Sequence, residues 1–199
     1  MELDSSAFRR LARPKHSKLP ARSASDFAGA ALFLPQLRPP LLFFLMRALP
    51  HTRSCFVCGE TNPIGLKLTL HTDGQIVQTE FVLRPEHVGF KNTIHGGVLS
   101  TVLDEVMSWV CAVATKRFAY CAELTVRFAR PGRPAEPMIA KAELSANRRG
   151  KVFEAKGEIR TRDGAVVATA TGKYMPVRQS ELVQMAPDLL GDAGDMFGR

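Results

Sequence analysis

The residues whose types and spacing are best suited to chemistry are His95, Gly96, Gly97 and Asp104. Adjacent glycines let another group approach the backbone closely. If a helix starts there, its first amides lack partners within the helix and lie at the positive end of its dipole. Such a terminus can hold an oxyanion. Asp104 follows eight residues after Gly96, in a run whose other positions are overwhelmingly apolar. A carboxylate in that setting is expensive unless it has a partner or a task. Two readings are open at this point. In one, the glycines turn a loop into a helix and Asp104 lies on an exposed stripe. In the other, the helix terminus holds an oxyanion and Asp104 has a partner or a task of its own.

The elements that must position these groups are legible from periodicity. From Gly97 to Lys116, Leu99, Val102, Leu103, Val106, Met107, Val110 and Val113 recur at helical spacing, leaving a narrow polar stripe of Thr101, Asp104, Glu105 and Ser108. A helix apolar over most of its circumference is buried. Before it, Leu66, Leu68 and Leu70, a turn at Asp73-Gly74, then Val77, Thr79, Phe81 and Leu83 predict a hairpin. After it come four alternating runs: Ala122 to Phe128, Met138 to Leu144, Phe153 to Ile159 and Val166 to Ala170. Charged residues fill the intervening positions, so one sheet face is wet. The order predicts an α+β fold, an antiparallel sheet wrapped around one long central helix.

Composition narrows the function classes. The chain has 199 residues, is 45% hydrophobic and carries a net charge of +8. Residues 1–53 hold 9 Lys/Arg against 3 Asp/Glu, which leaves 18 against 16 for the rest. A basic leader without a binding motif or interleaved aromatics does not indicate a nucleic-acid partner. The apolar stretch from Ala30 to Met46 contains three prolines and Arg38. It falls short of the roughly 20 apolar residues needed to span a bilayer, so no membrane insertion is expected. Residues 1–49 are expected to be a disordered basic leader, with an organelle transit peptide or translation starting at Met46 as other readings. Residues 50–177 form the domain, and 178–199 a flexible tail. Four cysteines with uneven spacing are not a disulfide scaffold, and reduced thiols point to the cytoplasm. Cys55 and Cys58 form one CxxC with no second pair and no paired histidines, so no metal is expected.

His95-Gly96-Gly97 with Asp104 eight residues after Gly96, preceded by Cys55-Phe56-Val57-Cys58-Gly59, Asn62-Pro63 and Gly65-Leu66, resembles hotdog-fold acyl-CoA thioesterases of the phenylacetic-acid-pathway (PaaI-like) type. The resemblance covers about residues 50–177. It implies that Asp104 is the general base or nucleophile and that the Gly96 amide polarises the thioester carbonyl. It assigns His95 to shaping the loop and Gly97 to the same substrate-binding turn. Some relatives carry Asn or Gln six or seven residues before the glycine matching Gly96; here Gly89 and Val88 stand there, with Asn92 nearby. Ser108, one turn after Asp104, is placed to share its face and hold a water. Arg148, Arg149 and Lys151 occupy the turn where relatives hold the phosphates of coenzyme A.

The expected activity is hydrolysis of an acyl-CoA to free acid and coenzyme A, with no cofactor beyond that substrate. A hotdog hydratase or dehydratase is a rival, but such enzymes pair the aspartate with a histidine five residues later, where this chain has Trp109. A non-catalytic acyl-CoA-binding or regulatory protein is the other. Helix geometry adds an expectation about assembly. Eight residues at about 1.5 Å each set Gly96 and Asp104 roughly 12 Å apart along one axis. One thioester carbon must lie about 3 Å from both the oxyanion donor and the attacking atom. A homodimer with a shared site is therefore expected, and the resemblance implies that such dimers can pair further into a dimer of dimers. Because regular patterning begins only after Cys58, a chain starting at Met46 is expected to express as soluble, active protein. Loss of either property on that truncation would show that the leader is needed for folding or assembly.

Overall fold

The computed structural model describes residues 46–191; expectations for 1–45 and 192–199 lie outside the described residues. Where apolar residues recur at helical spacing, a 20-residue helix α1 (Gly96–Thr115) forms. Val102, Leu103, Val106, Met107 and Val110 on it have no exposed surface. By length and hydropathy this helix would pass for a membrane span, but the sheet covers its apolar positions.

The strands before α1 are β1 (Arg47–Ala48), β2 (His51–Thr52), β3 (His71–Thr72), β4 (Ile76–Val82), β5 (Val88–Phe90) and β6 (Thr93–Ile94). After it come β7 (Ala119–Phe128), β8 (Pro137–Arg148), β9 (Val152–Thr161) and β10 (Val166–Pro176), as the alternation predicted. Seven strands form one sheet in the order β1-β3-β4-β8-β9-β10-β7, with every neighbouring pair antiparallel. The predicted α+β architecture, a sheet wrapped on one helix, is present.

The registers explain how the sheet comes close to the helix. Across β8, β9, β10 and β7, Ala142, Gly157, Ala170 and Val126 align in one row, and Leu144, Ala155, Gly172 and Leu124 in the next. Each row places small residues at its centre. A Cβ on Gly157 would lie 3.1 Å from the Met107 side chain and 3.3 Å from that of Leu103. One on Gly172 would lie 3.0 Å from Met107 Cε and 2.8 Å from the Tyr174 ring. The opposite face carries ion pairs such as Lys156 with Glu143 and Lys173 with Glu123. Exposed pairs of this kind add little stability and mainly keep that face wet.

Four expectations need correction. The arm 66–70 of the predicted first hairpin does not join β4. Lys67 takes a φ of 56°, which breaks the extended run, and the Leu66 and Leu68 amides donate to the carbonyls of Phe56 and Val57 instead. The ladder starts only at β3, beyond which the Asp73-Gly74 turn is as predicted, with Asp73 Oδ1 accepting the Gln75 and Ile76 amides. In β7, Ala122 does not face inward, because a β-bulge there sets Glu123 opposite Lys173 but Cys121 opposite Tyr174. The segment after Val177 is not a loose tail throughout: it forms a short helix α2 (Gln179–Met185) and β11 (Leu189–Leu190). The last pairs with β2, and Ser54 anchors Asp188 through a 2.6 Å hydrogen bond. Finally, β1 and β2 extend the ordered domain ahead of and around residue 50.

Because α1 rests on Gly157, side-chain bulk there must push the two apart. Gly157→Val is expected to lower the free energy of unfolding by about 1–3 kcal/mol in urea denaturation, the usual range for overpacking a close-packed core. An unchanged midpoint would mean that the sheet yields at that row.

Candidate functional site

The N-terminus of α1 is built by its own sequence. His95 is its N-cap, in extended conformation, and His95 Nδ1 accepts the Gly97 amide at 2.9 Å. The ring therefore carries its proton on Nε2 when it caps. The Val98 amide donates to the His95 carbonyl at 3.0 Å, and Leu99 to the same oxygen at 3.4 Å. Of the first-turn amides, that of Gly96 alone has no acceptor among the described residues. Gly97 is thus committed to the cap, whereas the donor assigned to Gly96 is available.

Gly96 opens onto a cleft of about 400 Å³ shared with Gly89, Phe90, His95, Phe128 and Pro131. Phe90 is 82% exposed and Phe128 49%, giving the cleft an apolar rim. The departure at Gly89 has a physical reason: a Cβ there would lie 2.9 Å from His95 Cδ2, so the capping ring needs the missing side chain. Asn92 stands apart from this cleft. It occupies the turn between β5 and β6 with a φ of 58°, its carbonyl accepts from Arg133 Nη1 at 2.7 Å, and it does not line the cleft.

Asp104 lies outside that cleft. It is half-buried on the side of α1 facing β10 and β7, where the fully buried Tyr174 hydroxyl donates to Asp104 Oδ1 at 3.0 Å. Burial and the Asp104 charge push the Tyr174 phenol well above its usual value, so it stays a proton donor to the carboxylate. The bulge at Ala122 adds a third group. Cys121 stands opposite Tyr174, and burial together with the adjacent Asp104 carboxylate pushes its thiol up to about 11. Sequence reasoning missed Tyr174 and Cys121: the predicted β10 ended at Ala170, and a bulge leaves no mark in the alternation.

Ser108 shares the helix side expected of it, but its Oγ donates to the Ala119 carbonyl at 3.3 Å, tying α1 to β7. In the β8–β9 turn, Arg149 and Gly150 have φ of 56° and 67°, and Asn147 Oδ1 accepts the Gly150 amide at 2.7 Å. Arg148 is engaged by Glu154 through two hydrogen bonds of 2.9 and 3.2 Å. Arg149 and Lys151 are exposed and have no ion pair among the described residues. Arg117 Nη1 donates to the Gly150 carbonyl at 2.9 Å, which docks this basic turn near the C-terminal end of α1. The turn and Gly96 therefore stand at opposite ends of the helix. A larger depression of about 540 Å³ against the sheet is lined by none of the expected site residues.

Glu105 faces away from Asp104, towards the segment before β3. Trp109 Nε1 donates to Glu105 Oε1 at 3.0 Å, and Cys55 Sγ lies 3.7 Å from each carboxylate oxygen. Burial raises the Glu105 carboxyl to about 7. Its place beside the Cys55–Cys58 turn, 50 residues back, was invisible to periodicity.

Residues 91–168 match the Thioesterase superfamily, a stretch that contains every expected site residue. No curated protein is similar enough in sequence to match the chain. Among solved structures, a thioesterase superfamily protein is 28% identical with a TM-score of 0.57, covering 62% of this chain. The chain spans 60% of that protein's length. The PaaI protein of E. coli, from the phenylacetic acid degradation operon, aligns at 19% identity and a TM-score of 0.52, over 57% of this chain and 81% of its own. Zebra fish thioesterase superfamily member 2 aligns at 13% identity and a TM-score of 0.54, over 59% and 88% of the two chains. The last two likenesses speak to the fold. The matched residues supply the helix and the strands that follow it, and the chain carries the hotdog fold of the thioesterase superfamily protein it resembles.

Proposed function

We propose that this protein hydrolyses an acyl-CoA thioester to the free acid and coenzyme A, in the manner of the PaaI-like enzymes. The observation that carries the reading is the Gly96 amide, left without an acceptor among the described residues at the positive end of a buried helix and opening onto a cleft. It is a donor for a developing oxyanion. Asp104 is the carboxylate partner, acting as general base towards water or attacking the carbonyl itself. In the base route, water oxygen bonds to the acyl carbon, the C–S bond breaks, and the thiolate takes the proton that Asp104 received. Tyr174 positions the carboxylate by its hydrogen bond. Trp109, which stands where a hydratase would carry histidine, is occupied with Glu105 and offers no acid or base.

The separation of Gly96 from Asp104 supports a site shared between two copies. Eight helical residues amount to roughly 12 Å, too far for one carbonyl. Two α1 helices related by a two-fold axis and running antiparallel bring Gly96 of one subunit opposite Asp104 of the other. The outer edge of β7, unpaired among the described residues, favours such pairing, because a ten-residue edge strand is a template for another. In this arrangement the basic β8–β9 turn that receives the coenzyme A phosphates belongs to the subunit supplying Asp104. From Asp104 to the helix end near that turn is about 17 Å, a reach that suits an extended pantetheine arm.

Asp104→Asn keeps the acceptor for Tyr174 and is expected to lower kcat at least about 100-fold on an acyl-CoA that the wild type turns over. Gly96→Pro removes the amide at a helix position where proline is tolerated, and His95 already has the extended conformation that must precede it. Each variant alone is expected to be inactive, and mixing them under subunit exchange to restore activity. Confirmed heterodimers without recovery would refute the shared site. Near-normal turnover by folded Asp104→Asn would refute the carboxylate's role, and wild type that binds acyl-CoAs of short, long and aromatic chains without hydrolysis would favour a binding protein. Tyr174→Phe retains Asp104 but releases it. A fall in kcat with KM little changed, and a stability loss of about 1 kcal/mol in denaturant titration, are the expected signature of a positioning residue.

A further inference from the structure

The Cys55-Phe56-Val57-Cys58-Gly59 segment is built as a closed knuckle. The Gly59 amide donates to the Cys55 carbonyl at 3.0 Å, and the Val57 amide donates to Cys55 Sγ at 3.2 Å. No side chain fits at Gly59, where a Cβ would fall 2.4 Å from the Cys55 carbonyl oxygen. The segment is also tied from outside, by the Leu66 and Leu68 amides and by Asn62 Nδ2 on the Ser54 carbonyl. This closure turns both sulfurs towards α1, where Glu105 is held by Trp109. Cys55 Sγ, Cys58 Sγ and a Glu105 oxygen all lie within 4.8 Å of one another.

We infer that Cys55, Cys58 and Glu105 bind a thiophilic divalent cation of the Zn²⁺ class, with water in the fourth position. The distances fit. For metal–sulfur and metal–oxygen bonds of about 2.3 and 2.0 Å, a tetrahedron has S···O edges of roughly 3.5 Å and S···S edges of roughly 3.8 Å. Cys55 Sγ is already 3.7 Å from both Glu105 oxygens, and the longest separation needs to contract by about 1 Å. Charge argues the same way. Glu105 is a half-buried carboxylate with no ion pair among the described residues, an expensive arrangement that a cation relieves. Two sulfur donors select zinc over magnesium or calcium. Trp109 fixes the carboxylate from outside, as partners behind metal ligands do. The expectation of no metal rested on the lack of further ligands beside one CxxC; the fold supplies the third from a distant helix. The cation clips the segment preceding β3 to α1 one residue beyond Asp104, and the inference stands apart from the thioesterase reading.

The test uses the full chain, kept reduced by a phosphine, stripped by a chelator and titrated with Zn²⁺ or Co²⁺. The expected result is one Zn²⁺ per chain, a sulfur-to-cobalt charge-transfer band with tetrahedral ligand-field bands, and a rise in Tm on adding Zn²⁺. Cys58→Ser and the near-isosteric Glu105→Gln are each expected to lose at least about tenfold in affinity while keeping the circular dichroism of the stripped wild type. Cys121→Ser, a control for the exposed thiol, is expected to bind Zn²⁺ unchanged. Failure of folded, reduced wild type to bind Zn²⁺ stoichiometrically overturns the inference. So does unchanged affinity in Glu105→Gln, or loss of Zn²⁺ in Cys121→Ser.

Discussion

The rest of the structure depends on how closely α1 lies on the sheet. Met107 and Leu103 press on Gly157, and Met107 Cε on Gly172, at distances that leave no room for a methyl group. Because the helix is enclosed this tightly, each polar group on its stripe must find a partner at a fixed place. Asp104 meets Tyr174, Glu105 meets Trp109 and the knuckle cysteines, and Ser108 meets a β7 carbonyl. The close approach thus converts a helical stripe into a set of positioned side chains. It also gives them little freedom to rearrange, since side chains in a close-packed interior have few alternatives.

Asp104 and Glu105 show how adjacent residues acquire different work. Successive positions on a helix point about 100° apart. One carboxylate is directed to the last strands of the sheet, where a phenol donates to it. The other is directed to the segment between β2 and β3, among sulfurs and an indole. In the sequence they stand side by side in one polar stripe, and nothing local distinguishes them.

What periodicity carries was legible: the bounds of α1 to within a residue at each end, the four strands after it, the Asp73-Gly74 turn and the place of Gly96 at a helix start. The motif around His95 was legible too, since a cap and its glycines are neighbours in the chain. What depends on long-range register was not. Tyr174 reaches Asp104 across 70 residues, and Cys55 reaches Glu105 across 50. Alternation at Leu66, Leu68 and Leu70 looked like a ladder strand because the pattern is the same when an extended segment pairs with a turn. Only the positive φ of Lys67 separates the two cases, and lysine gives no hint of it.

The bulge at Ala122 acts on β7 as a change of parity. Counting by twos from Phe128 back through Val126 and Leu124 arrives at Ala122, yet the residue set against Tyr174 is Cys121. The two halves of the strand therefore follow opposite numbering rules: even positions look inward on the side of the Gly96 cleft, and an odd one serves Asp104. A relative lacking the extra residue would be one position out of step when aligned without a gap. Its counterpart of Cys121 would then be sought on the wrong face, and the neighbourhood of the carboxylate would look unrelated in two proteins that share it.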